Sequence, residues 1–160
     1  MLVNSKELFK KAQQGHYAIP SANVLDMESI KYHVGVAQEL GLPLIVGVAE
    51  AHLGDNLTLE DAALVGKKYA DAASVPVVLH LDHGMSVETC KKAIDLGFTS
   101  VMIDASMKSF EENVAITKEV VEYAKAKDVS VEAEIGHVAS NFDENDTDAL
   151  YTTAEEAKKF

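Results

Sequence analysis

The sequence predicts an α/β barrel, a TIM-type (β/α)8 architecture of which this chain of 160 residues covers about the first five strand–helix units. Three observations carry that prediction. Short apolar runs alternate with capped amphipathic stretches, the pattern of parallel strands joined by crossover helices. Successive apolar runs end on Asp82-His83, Asp104 and Glu134, and polar strand ends gathered on one rim favour a barrel over an open sheet. A sixth helical stretch is cut off at Phe160, and a closed barrel takes roughly 250 residues. Residues 1–160 therefore read as the N-terminal part of a single barrel domain.

Each element has its own local signal. Ser5 to Gln14 is a leading helix stopped by Gly15. A strand over about Tyr17 to Val24 follows. Asp26 caps a helix to Leu40, ended by Gly41 and blocked by Pro43. Leu44 to Ala49 is the second strand, and Thr58 with Asp61 forms a capping box for a helix to about Ala73. The third strand runs from Val75 to Leu81, and Ser86 opens a helix that Gly97 terminates. Thr99 to Ile103 is the fourth strand. Ser109 with Glu112 is another capping box, opening a helix to about Lys127. The fifth strand is Val129 to Ile135. Asn141 to Asp146 reads as a polar mobile loop, and Thr153 with Glu156 begins the last helix.

Composition narrows the partners. The net charge is −12, from 26 acids against 14 bases, which argues against nucleic acid and anionic membrane surfaces. All 14 bases are lysine, so any bidentate guanidinium grip on a phosphate lies outside this chain. No apolar run is long enough to span a membrane, and the N-terminus lacks the apolar region of a signal peptide. One cysteine, Cys90, excludes an internal disulfide framework and fits a reducing cytoplasm; it reads as a small core residue.

The stretch His80-Leu81-Asp82-His83-Gly84 is the most informative. An apolar strand that ends in a carboxylate and an imidazole carries groups that are costly to desolvate unless paired. A metal ion with a reacting ligand accounts for both. His83 supplies the nitrogen that suits zinc, against the alternative of a core histidine held by hydrogen bonds. Asp82 suits proton transfer, or the orienting of His83. Asp104 and Glu134 are either ligands of a cation or carboxylates satisfied by backbone and neighbours. Asn23 and Ser106 are candidates for substrate contact. His80 reads as a satisfied barrel residue, His137 as a loop residue, and His16, His33 and His52 as surface or packing residues. Asp143 and Glu144 read as a solvated loop. No lysine lies on the second to fifth strands, so a Schiff-base mechanism finds no amine there.

These motifs, taken together, resemble the class II (zinc-dependent) ketose-bisphosphate aldolases, the fructose-1,6- and tagatose-1,6-bisphosphate aldolases. The resemblance runs from about Ser5 to Phe160. It rests on Ala18-Ile19-Pro20-Ser21-Ala22-Asn23, His80-Leu81-Asp82-His83-Gly84, Gly97 to Ser106, Phe110 to Val114, and Val129 to Gly136. It implies that Asp82 is the catalytic acid/base and His83 a ligand of a catalytic Zn2+. Asp104 and Glu134 then correspond to a second, looser position for a divalent or monovalent cation. It further implies a sugar-bisphosphate substrate, a cytoplasmic homo-oligomer, and further zinc histidines and phosphate-binding loops beyond Phe160. Departures from the family pattern fall at Ala22, Asp26, Met107, Ala139, Ser140 and Phe142. They touch the loop and the substrate surroundings and spare the pair of Asp82 and His83. Two rivals remain: a catalytically incompetent half-barrel fragment or interaction module, and another metal-dependent barrel enzyme acting on sugar phosphates.

Overall fold

The structure, a computed structural model, describes residues 1–136 and 151–160. Five parallel strands form one sheet in sequential order: β1 (Ser21–Asn23), β2 (Leu44–Ala49), β3 (Val77–Gly84), β4 (Ser100–Ile103) and β5 (Ser130–Ala133). Helices α2 (Met27–Leu40), α3 (Leu59–Ala72), α4 (Val87–Leu96) and α5 (Phe110–Lys125) connect them, after a leading α1 (Lys6–Gly15); α6 (Ala154–Lys159) follows. Strands in sequential order with a helix at every crossover are the opening units of a TIM barrel.

The sheet has two different faces because side chains alternate across a strand. Val46, Val48, Leu79, Leu81, Val101 and Ile103 point to the helix layer and pack with Ile30, Val34, Ala62, Ala70, Cys90, Ala93, Ile94, Val120 and Ala124. Burying each large aliphatic there is worth roughly 1.5–3 kcal/mol. Small alanines on α3 and α4 let those helices lie close to the strands. The other face is concave and mixed. Its lower end is closed by α1, whose buried Leu8 packs on Ile45 and Val78. Above them an open cavity of about 350 Å³ is lined by His80, Asp82, Ser100 and Glu132 among others.

Most boundaries fall where the capping chemistry puts them. Asp26, Thr58, Ser86, Ser109 and Thr153 all accept a hydrogen bond from the backbone three residues on. Gly41 and Gly97 take left-handed conformations past the ends of α2 and α4. Four corrections arise. β1 is only three residues long, since Pro20 has no N–H to give to a ladder and its carbonyl supplies the first contact, to Ile45. The residue with left-handed backbone after α1 is His16, not Gly15. β3 begins at Val77, after Pro76, and runs on through Asp82 and His83 to Gly84. β5 stops at Ala133, leaving Glu134 just beyond it. The stretch Asn141–Asp146, with His137, lies outside the described residues.

Candidate metal centre

Three side chains converge at the C-terminal ends of β3, β4 and β5. Ligand atoms of His83, Asp104 and Glu134 all lie within 4.8 Å of one another. The geometry starts with an irregularity in β3. Leu81 pairs with Val101 and Gly84 with Ile103, so three steps along β3 match two along β4. The extra residue makes a bulge, which bends a strand and re-aims its side chains. In a regular pleat Asp82 and His83 would face opposite sides of the sheet. Here His83 has φ +47°, a left-handed conformation disfavoured for residues with a Cβ. It swings to the rim, where its Nδ1 meets Asp104 Oδ2 at 2.8 Å.

Gly84 makes the bulge possible. A Cβ at this position would lie 2.6 Å from the Met102 carbonyl and 2.8 Å from Cys90 Sγ. Its own carbonyl accepts the Asp104 N–H at 2.9 Å. Asp104 is held from the other side as well, by the Ser106 N–H (3.1 Å) and hydroxyl (2.7 Å), both donating to Oδ1. Glu134 is positioned through its backbone: the buried Asn113 of α5 donates its amide to the Glu134 carbonyl at 2.7 Å.

The electrostatics follow from these contacts. The hydrogen bond with Asp104, helped by Asp82 and Glu134 nearby and opposed by partial burial, raises His83 above its usual 6.5. Burial alone would raise Asp104, but the hydrogen bonds from His83 and Ser106 outweigh it and leave that carboxyl below its ordinary value. Asp82 lies on the concave face with His80 and Glu132. Burial depresses His80 to about 4, so the ring is neutral at pH 7; its Nδ1 meets the Ser100 hydroxyl at 2.9 Å. Burial and the neighbouring Asp82 push Glu132 up.

The expected residues thus divide. His83, Asp104 and Glu134 come together, and Asp82 is adjacent on the inner face. Asn23 pairs with Gly47, level with His80 in the ladder, and its Oδ1 occupies the space a side chain at residue 47 would fill. Ser106 is engaged with Asp104. His80 is satisfied, as expected. His52 is exposed on the turn that follows β2, and His33 is half-buried on α2. Asp143 and Glu144 lie outside the described residues. Buried Cys90 has its thiol pushed up to about 12 by burial and the nearby Glu50 charge, as suits an inert core residue.

Two polar residues that brace the rim escaped the sequence reading. Asn113 was seen within a motif but given no role, although an amide on the packed side of a helix needs a partner. Glu50 follows the all-apolar strand β2 directly, the same signal that marked Asp82, Asp104 and Glu134. Its carboxylate accepts the Met85 N–H at 2.6 Å and the Thr89 hydroxyl at 3.0 Å.

Comparison with known proteins decides the family, because residues 3–160 match the class II fructose-bisphosphate aldolase domain. The chain belongs to the class II fructose-bisphosphate aldolase family. It is 46% identical over 146 residues to the fructose-bisphosphate aldolase of Geobacillus stearothermophilus, covering 89% of this chain and 50% of that protein. It is 45% identical over 143 residues to the 6-phospho-5-dehydro-2-deoxy-D-gluconate aldolase of Halalkalibacterium halodurans, covering 86% and 48%. Among solved structures, the YdjI aldolase of Escherichia coli K12 superposes with TM-score 0.88 at 34% identity, over 99% of this chain and 57% of that one. The chain spans about half the length of the aldolases it matches. Family membership agrees with the resemblance read from the motifs, and the superposition aligns the five strand–helix units with part of an aldolase.

Proposed function

We propose that this chain is the metal-and-acid portion of a zinc-dependent aldolase that cleaves a phosphorylated ketose, reversibly, at a carbon–carbon bond. The observation that carries the reading is the convergence of His83, Asp104 and Glu134 within 4.8 Å on a class II aldolase rim, with Asp82 beside them. An imidazole with two carboxylates suits zinc chemically. His83 would offer a ring nitrogen to the zinc, and Glu134 and Asp104 carboxylate oxygens to the same ion or to a second, looser cation beside it, or, for Asp104, the hydrogen bond that fixes the His83 ring. When bound, the metal supplies Lewis acidity toward the oxygens of the ketose fragment.

The chain's own residues do the rest. Asp82, facing the cavity, takes the proton of the substrate hydroxyl that becomes the aldehyde oxygen and returns it in condensation. His80, neutral and fixed by Ser100, adds no competing positive charge beside it. Ser106 holds Asp104 and retains lone pairs toward a ligand. Asn23 borders the same concave face.

Fructose 1,6-bisphosphate and tagatose 1,6-bisphosphate, cleaved to dihydroxyacetone phosphate and glyceraldehyde 3-phosphate, are the first substrates to assay. The near-equal identity to the 6-phospho-5-dehydro-2-deoxy-D-gluconate aldolase makes that phosphorylated keto acid the second. The protein acts as a homo-oligomer in the cytoplasm on this reading; no helix among the described residues is long and apolar enough to cross a membrane. In the active enzyme, His83→Ala should abolish both zinc binding and turnover. Unchanged turnover would contradict the assignment. The rival, an inert fragment, is separated by intact mass: a natural product near 17.3 kDa supports it, and one about twice as large supports the enzyme.

A further inference from the structure

We propose that Glu50 is the positioning residue of the metal centre, holding the turn after β3 so that His83 keeps its rim-facing conformation; this rests on the metal reading above. Glu50 lies on the short 3-10 turn Glu50–His52 that follows β2. From there its partly buried carboxylate spans two neighbours. One oxygen accepts the Met85 N–H at 2.6 Å, and the other accepts the Thr89 hydroxyl at 3.0 Å. Thr89 stands in the first turn of α4, whose cap Ser86 accepts the Thr89 N–H at 3.0 Å. The carboxylate therefore sits at the amino end of α4, where the helix favours negative charge.

The position of these contacts along the chain gives them their consequence. Asp82 and His83 fall inside the bulge, between the ladder positions at Leu81 and Gly84. His83 carries a left-handed backbone that it would leave if the following residues were free to turn. On the β4 side the segment is anchored by Gly84, through the Asp104 N–H and tight packing on Met102. On the β2 side the ladder holds as far as Asp82, paired with Ala49, and beyond it the turn is held by Glu50 at Met85. The Met85 side chain is 66% exposed, so packing gives that residue little hold of its own. Short, charge-assisted bonds of this kind are among the strong ones, and groups that orient a ligand commonly govern metal affinity by about ten- to a hundredfold.

Substitutions at Glu50 distinguish this from a general role in stability. Glutamine preserves the shape, with its carbonyl accepting from Met85 and its amide donating to Thr89. Alanine removes both contacts, and aspartate keeps the charge but is one methylene too short to span them. Zinc chloride is titrated calorimetrically into the folded chain, and the His83 ring Nδ1–H is followed by histidine-selective nitrogen-15 NMR. Glu50→Gln should bind zinc close to the wild-type value with the ring signal intact. Glu50→Ala should lose about tenfold or more in affinity and lose the ring signal held by Asp104. If Glu50→Ala does not fold, Glu50→Asp is read in its place, with the same loss expected. Wild-type affinity and an unchanged ring signal in folded Glu50→Ala or Glu50→Asp would overturn the proposal, even with a lowered melting temperature. Should His83→Ala bind zinc as tightly as the wild-type chain, the metal reading itself falls and takes this one with it. Should His83→Ala fail to bind while the Glu50 variants bind normally, only the Glu50 assignment is lost.

Discussion

At the scale of single residues, two histidines three positions apart have opposite environments. His83 is 48% exposed at its side chain and meets the Asp104 carboxylate, which holds its ring above the ordinary 6.5. A raised folded-state value means that this ion pair supports folding fully below 6.5 and ceases to as pH rises through the raised value. A metal must displace that proton, so zinc affinity should fall about tenfold per pH unit on the acid side of the His83 value. Titrations between pH 5.5 and 8 check this, and an affinity flat across that range would contradict it. His80 runs the other way, with burial placing it near 4. The unfolded chain binds the proton first, so acidification from 6.5 toward 4 should destabilise the fold, by up to about 3 kcal/mol. Urea unfolding at pH 4.5 and 7 should show that loss in the wild type and a smaller one in His80→Gln. The sequence separates these two histidines by position, one beside an acid at the strand end and the other within the apolar run, and their burial differs accordingly. It did not show that Ser106 is engaged with Asp104, since a turn hydroxyl can face either way.

Elements were legible where their signals are local. Capping chemistry needs only four residues, so Asp26, Thr58, Ser86, Ser109 and Thr153 mark helix starts that the structure reproduces. Strand ends were less legible, since they depend on a neighbour's register. β3 continues through Asp82 and His83 because β4 pairs again at Gly84, and nothing within residues 75–84 announces that bulge. The place of Glu50 at a strand end was legible, but its partners, 35 and 39 residues away, were not. The bulge makes Gly84 hard to replace. Gly84→Ala would drive a methyl group into the Met102 carbonyl and Cys90 Sγ, so it should cost roughly 1–3 kcal/mol in chemical denaturation. It should also weaken zinc binding by moving His83. Wild-type stability in that variant would mean that the close packing is not as tight as drawn.

For the molecule as a whole, alternation of strand and helix was enough to give the barrel-type order, because parallel strands joined by helices have few alternatives. The division of faces belongs to the folded sheet: one side packs its apolar residues on the helices, and the concave side mixes Ile45 and Val78 with His80, Asp82 and Glu132. What the pattern does not encode is how far the strand ends approach one another, which depends on the twist and curvature of five strands together. That approach, His83 with Asp104 and Glu134 within 4.8 Å, is the centre of the account. Anomalous diffraction at the zinc edge from crystals grown with zinc tests it most directly. The expected result is a peak about 2.0–2.1 Å from a His83 ring nitrogen, with carboxylate oxygen of Glu134 or Asp104 alongside. A zinc peak seated away from His83, or no peak at the β3–β5 rim, would contradict it.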